Sequence, residues 1–271
     1  MPFGPLVSAQ WLRQHLEDPD LRVVDFRWYL DGRKGIDEYR RGHIPGAIFL
    51  DLESVTGTAG GGRHPLPTLA QFETEMRMAG ISEHTKVVAY DDVGGSNAAR
   101  LWFLLDWFGH DSQAVLDGGI QAWAEPLDTD SQSVSPGVFN SHEPDRSRVV
   151  DFTAVQQLDR VPLLDARAGE RYRGEKEPID PKAGHIPGAL SAPWPGNLGP
   201  KERFKTPAEL RERFAELGAA RGAVVYCGSG VSACHHLLAM EVAGLSNGRL
   251  YAGSWSDWSN RDLPVATGKD P

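Results

Sequence analysis

Cysteine is scarce in this chain of 271 residues: only Cys227 and Cys234 occur, which excludes a disulfide scaffold and leaves a free, reactive thiol open. No stretch approaches the roughly 20 consecutive apolar residues that a membrane span needs, and the start, MPFGPLVSAQW, lacks the basic and then apolar pattern of a secretory leader. A cytoplasmic protein with no membrane partner is expected. Basic residues are also in deficit: 28 Lys and Arg against 37 Asp and Glu leave a net charge of -9, which opposes the polyanion attraction of non-specific nucleic-acid binding. No nucleic-acid partner is expected either. The glycine stretch 57–62 is not followed by the Lys and hydroxyl residue of a phosphate loop.

What is there is written twice. Val23-Val24-Asp25-Phe26-Arg27 is echoed by Leu163-Leu164-Asp165-Ala166-Arg167, and Gly42 to Ala47, GHIPGA, returns unchanged at Gly184 to Ala189. Val87 to Asp91 answers to Ala223 to Cys227, and Leu116 through Trp123 to Tyr251 through Trp258. The offset drifts by only a few residues, as in duplicated domains with small loop insertions. The length also favours two domains over one core. Residues 1–124 form the expected N-terminal domain, 125–148 a Pro-, Ser- and Asp-rich linker without periodicity, and 149–271 the C-terminal domain. Residues 266–271 read as a frayed tail.

Within each copy, short β-branched runs such as Val87 to Tyr90 predict buried strands, and segments with helical spacing follow them at Ala98 to Trp107 and Ser232 to Ala243. That alternation predicts an α/β fold: in each domain a mostly parallel sheet with helices on both faces. GHIPGA reads as a turn whose histidine bonds local backbone, because it is identical in both copies.

The chemistry is in one copy only. Tyr226-Cys227-Gly228-Ser229-Gly230-Val231-Ser232-Ala233 lies between a buried strand and a helix, the place where open parallel sheets bind ligands. Successive N–H groups of such a loop, with the positive end of the next helix, can converge on one anionic atom and favour a thiolate nucleophile. Gly228 and Gly230 let the backbone curl around the sulfur, and Val231 and Ser232 complete the cradle. Cys234 reads as a small core residue. Cys234-His235-His236 does not have metal-site spacing, so no metal is expected.

With the repeat, the paired GHIPGA turns and CGSGVSA, nearly the whole chain resembles the tandem-domain rhodanese and 3-mercaptopyruvate sulfurtransferase family. The resemblance implies two rhodanese-like domains, the first having lost its cysteine; Asp91 occupies that slot. It implies a persulfide on Cys227 and no cofactor. Mercaptopyruvate enzymes of the family carry C-G-[ST]-G-V-T-A and thiosulfate enzymes C-R-K-G-V-T-A. This loop is similar to the former, with Ser232 for Thr. By the same resemblance Arg171, in Arg171-Tyr172-Arg173-Gly174, binds the substrate carboxylate, for which a planar fork is suited. The family's second arginine has no match in Glu175 to Ala183, where Lys182 is the nearest substitute. A Ser-His-Asp arrangement maps onto Ser229 and His64, with Glu53 where the aspartate is expected.

The implied reaction moves sulfur from a small donor, 3-mercaptopyruvate, through Cys227 to cyanide or a thiol acceptor such as thioredoxin. Thiosulfate is the alternative donor, but Gly228 and Ser229 supply no positive charge for a compact dianion. A phosphatase of related fold needs an arginine at the position of Ala233. A non-enzymatic rhodanese-like module usually lacks the cysteine, which is present here.

Overall fold

The computed structural model describes residues 3–271. They form two compact units, one of residues 3–56, 67–144 and 200–204, the other of 57–66, 145–199 and 205–271. The first unit has strands β1 (Leu6–Val7), β2 (Leu21–Asp25), β3 (Ile48–Phe49), β4 (Lys86–Tyr90) and β5 (Gln113–Leu116), ordered β1-β5-β4-β2-β3 with every pairing parallel. Its helices are α1 (Ala9–His15), α2 (Gly35–Arg41), α3 (Leu69–Met78) and α4 (Ala98–Trp107).

The second unit repeats the plan. Strands β6 (Val149–Val150), β7 (Leu163–Asp165), β8 (Ala189–Ser191), β9 (Ala223–Tyr226) and β10 (Gly248–Tyr251) are ordered β6-β10-β9-β7-β8, again all parallel. Helices α5 (Phe152–Gln156), α6 (Gly169–Tyr172), α7 (Pro207–Glu216), α8 (Ala233–Val242) and α9 (Ser254–Trp258) connect or follow them.

The central strands explain their own composition. β4 is buried from Val87 to Tyr90 and β9 throughout, so side chains pointing to either face meet protein, and β-branched residues fit such a pleat. α8 is buried from Ala233 to Met240, as a helix apolar nearly all round must be. Helix starts follow from local chemistry. Thr206 accepts the Glu209 N–H and Glu209 reaches back to Thr206, with Pro207 opening α7.

Each copy also holds a buried ion pair at the end of its second strand. Arg27 binds Asp25 at 2.5 Å and the Gly42 carbonyl at 2.9 Å; Arg167 binds Asp165 and the Gly184 carbonyl, both at 2.6 Å. These pairs tie the GHIPGA turn to the sheet, and losing one arginine would strand a buried carboxylate at a cost of about 3–5 kcal/mol. The turn histidines are structural: Nδ1 of His43 and of His185 each lies 2.8 Å from a carbonyl, of Tyr39 and Tyr172, and each ring stacks on that tyrosine. The expected frayed tail is instead tied down. Ala266 exchanges two backbone hydrogen bonds with His185, Gly268 N–H donates to Arg173, and His185 Nε2 lies 3.1 Å from the Asp270 carbonyl. Residues 125–144 pack in the first unit, where Asp128 pairs with His43 and Phe139 is buried edge-on to Phe72.

Candidate active site

Cys227 follows β9 directly and is 2% exposed. Its Sγ accepts the Gly230 N–H at 3.2 Å. The loop is laced to the turn before and within α9. Cys227 N–H donates to Ser254 Oγ at 3.1 Å, Trp255 N–H donates to the Cys227 carbonyl at 3.0 Å, and Ser256 N–H to the Gly228 carbonyl at 2.9 Å. Gly230 has φ +82 and its Cα faces the Ala252 carbonyl so closely that an added Cβ would lie 2.5 Å from the oxygen; no other residue fits there without movement. Ser254 is itself left-handed at φ 54, a conformation that costs of order 1 kcal/mol or more. Its hydroxyl, which also donates to the Tyr251 carbonyl at 2.9 Å, holds it there. Val231 is buried and Ser232 is the residue before α8. Cys234, fully buried one turn on, donates its Sγ–H to the Gly230 carbonyl at 3.3 Å, so it braces the loop from behind.

The equivalent place in the first unit, after β4, is taken by Asp91. Its carboxylate accepts four backbone N–H groups, from Val93, Gly95, Asn97 and Ala98, at 2.7–3.0 Å. The strand-end loop and helix start therefore do converge on an anion in that copy.

Arg171, at the end of α6, is held as a fork. Nε and Nη2 bind Glu177 at 2.7–3.1 Å, and Nη2 also binds Asp180 at 3.1 Å. Glu177 further binds Arg167 at 3.2 Å. Burial works against the Glu177 charge, but Arg171 and the N–H groups of Asp180 and Ile179 outweigh it and hold the carboxyl below its ordinary value. Burial pushes the Asp180 carboxyl above its ordinary value, against the pull of Arg63 and Arg171. Asp180 is the partner of Arg63 Nη1. A methyl added at Gly228 would come within 2.9 Å of Arg63 Nη2 and 3.4 Å of Arg171 Nη1. The loop itself lacks charge, as its sequence indicates, yet two guanidinium groups stand over it.

Ser229 is 8% exposed, and its Oγ lies 2.7 Å from His64 Nδ1. These two residues are 165 apart in the chain and belong to the same unit. Glu53 lies in a short 3₁₀ helix of the first unit, Leu52–Val55, and accepts the Trp28 indole N–H at 3.2 Å. Lys182 donates its Nζ to the Arg261 carbonyl at 2.5 Å. Sequence reasoning passed over Arg63, Glu177, Asp180 and Ser254. Arg63 stands beside a histidine it did single out, and Ser254 lies inside a repeated segment, so a signal existed for both.

The profile of the rhodanese-like domain matches this chain twice, over residues 8–126 and 152–261. The chain belongs to the rhodanese-like family. Across 99% of its length it is 46% identical to a Pseudomonas aeruginosa protein named "Probable 3-mercaptopyruvate sulfurtransferase", all of which is covered. It is 34% identical to the thiosulfate sulfurtransferase of Rattus norvegicus, covering 98% of this chain and 97% of that one. Among solved structures it is similar to SseA of Escherichia coli, a 3-mercaptopyruvate sulfurtransferase of 32% identity, with a TM-score of 0.83 over 93% of this chain and 99% of the other. This member of the rhodanese-like family is a sulfurtransferase enzyme. None of its described helices is long and apolar enough to cross a membrane.

Proposed function

We propose that this cytoplasmic enzyme takes sulfur from 3-mercaptopyruvate. The observation that carries the choice of donor is the hydrogen-bonded pair Ser229 Oγ and His64 Nδ1, 2.7 Å apart, on the loop of the nucleophile. The Cys227 thiolate attacks the donor sulfur, the S–S bond forms and the carbon–sulfur bond breaks, and its electron pair leaves as the enolate of pyruvate. That carbanion equivalent takes up a proton, so the thiol hydrogen of the donor is in balance returned to carbon. A hydroxyl backed by an imidazole is suited to pass that proton. Thiosulfate releases sulfite, which is already an anion and needs no such relay.

Arg171 would take the donor carboxylate. The persulfide then rests among the N–H groups of the 228–233 loop until an acceptor, a small thiol, cyanide or a protein dithiol such as thioredoxin, attacks its outer sulfur. Gly228, Gly230, Val231 and Ser232 shape that resting place. The names of the relatives at comparable identity include both donors, so the deciding test is steady-state kinetics with the two donors side by side. The expected result is a higher kcat/KM for 3-mercaptopyruvate, and a Ser229→Ala loss confined to that donor. A wild-type preference for thiosulfate would reverse the assignment.

A further inference from the structure

We infer that the amino end of the second sheet holds an anion site: Arg148, Arg160, Arg221 and Arg249 line one cavity suited to a multiply charged, phosphate-type oxyanion of pyrophosphate size or larger. The site is separate from the donor assignment and lies at the end of the strands away from Cys227.

The placement follows from the topology. Arg148 immediately precedes β6, Arg160 lies shortly before β7, Arg221 shortly before β9, and Arg249 is the second residue of β10. These strands are parallel neighbours in the order β6-β10-β9-β7, so the four arginines gather at one end of the sheet while Cys227 follows β9 at the other. The cavity they line measures about 750 Å³, a volume typical of small-molecule sites. Gly222 lets its walls meet. Its φ is +117, and an added Cβ would lie 2.7 Å from Asn247 Cβ and closer still to the Asn247 carbonyl oxygen. The turns before β9 and β10 therefore touch, and Asn247 Nδ2 donates to the Arg221 carbonyl at 3.5 Å.

The charge there is not balanced from within. Asp145 is the one acidic residue lining the cavity among the described residues, and it accepts the Ser147 N–H at 2.9 Å and the Ser147 hydroxyl at 2.7 Å. The side chains of Arg221 and Arg249 make no hydrogen bond or ion pair among the described residues. Arg249 is the more informative of the two. It is half-buried in an interior strand, opposite Val224, a setting in which a cation normally comes with a partner. Arg160 meets Asp159 at 3.9 Å, with the two side chains 92% and 88% exposed, a pair of little worth in water. Its backbone is held left-handed at φ 59, a conformation that costs free energy in a residue with a Cβ. Burial pushes the Arg148 pKa below its ordinary value, against the pull of Glu241, a cost that a bound anion would relieve.

The same features set the class of ligand. The chain as a whole has net charge -9, so a cavity with four guanidinium groups against one carboxylate runs counter to its surroundings. A single carboxylate would leave most of that positive charge uncompensated, whereas adjacent phosphoryl groups carry several negative oxygens at once. Planar forks arriving from separate turns match those oxygens in more than one direction. No aromatic ring lines the cavity among the described residues, so nothing there stacks on a nucleobase and recognition falls on the phosphate part.

The test is isothermal titration of the full chain with pyrophosphate and with tripolyphosphate at about 0.15 M salt, where loose surface attraction is screened. Saturable one-to-one binding is expected. Arg249→Gln and Arg221→Glu should each weaken it about tenfold or more. Arg221 is exposed on a turn, so its variant decides the matter if Arg249→Gln fails to fold. Sulfur transfer from either donor should be unchanged in both variants and unaffected by pyrophosphate, because the site leaves the Cys227 end of the strands open. Absence of saturable binding to both anions, or equal affinity in Arg221→Glu, would overturn the site. So would inhibition by pyrophosphate that competes with the donor and persists in the variants, since the anion would then be bound at the Cys227 end. The identity of the donor affects none of these outcomes.

Discussion

The two strand-end loops, 91–98 in the first unit and 227–233 in the second, are the same device in two states. Both follow a buried central strand and precede a buried helix. In the first, the Asp91 carboxylate fills the ring of N–H groups from within. In the second, a thiol stands at the root of the loop and accepts from Gly230. A carboxylate reaches about as far from the backbone as a cysteine bearing one more sulfur would. The first loop therefore displays, in permanent form, the kind of anion that the proposed mechanism would have the second hold between half-reactions. A fixed charge gives a structural brace; an exchangeable one gives a carrier.

The largest expected effect breaks that comparison at its chemical point. Cys227→Ser should abolish turnover, because a hydroxyl cannot form the persulfide, and mass spectrometry of the wild type after donor treatment should place the extra sulfur on the Cys227 peptide and leave Cys234 bare. Label on Cys234 would mean the loop is not the carrier. Next, Asp91→Ala should destabilise the protein by about 4 kcal/mol in urea unfolding, since four buried N–H donors lose their acceptor, whereas kcat should change little. Unchanged stability would show that the first loop is not braced by its carboxylate.

The acid response sharpens the difference between the helices that follow the loops. α8 buries His236, whose Nδ1 meets Asn197 at 2.7 Å and whose Nε2 lies 2.6 Å from the Ala192 carbonyl. Burial pushes its pKa down to about 4. In the unfolded chain an imidazole binds its proton near pH 6.5, so between that pH and 4 the unfolded state holds more protons and stability falls as pH falls, by up to about 3 kcal/mol at the acid end. Urea unfolding at pH 7, 6 and 5 should show the slope, and His236→Gln should flatten it; an equal slope in the variant would place the acid sensitivity elsewhere. The smallest effect is at the fork. Arg171→Lys should lower kcat/KM for 3-mercaptopyruvate about tenfold, and an unchanged constant would mean that the carboxylate is held elsewhere.

Much of this was legible in the residues. The β4 and β9 strands, α4 at its full extent and α8 to within one residue at each end follow from local apolar patterning, and the repeat announces the two sheets. Cys227 could be found because its loop is contiguous. Arg63 was marked only by standing beside His64, because its position over Gly228 depends on a chain path of more than a hundred residues that no local pattern shows. Glu177 and Asp180 looked like ordinary acids, since their role lies in which guanidinium each one holds. The tail was misjudged for a related reason: residues 266–270 have no pattern of their own and are ordered by His185 and Arg173 far upstream.

The short segment 57–66 carries a consequence for how such a chain can be divided. It is encoded in the middle of the first copy, yet it belongs to the compact unit of the second, together with Cys227. A gene split between the copies would yield a C-terminal fragment with the Cys227 loop but without Arg63 and His64. Duplication is usually thought to leave modules that can part company again. In this chain ten residues retained by the other half make the separation incomplete.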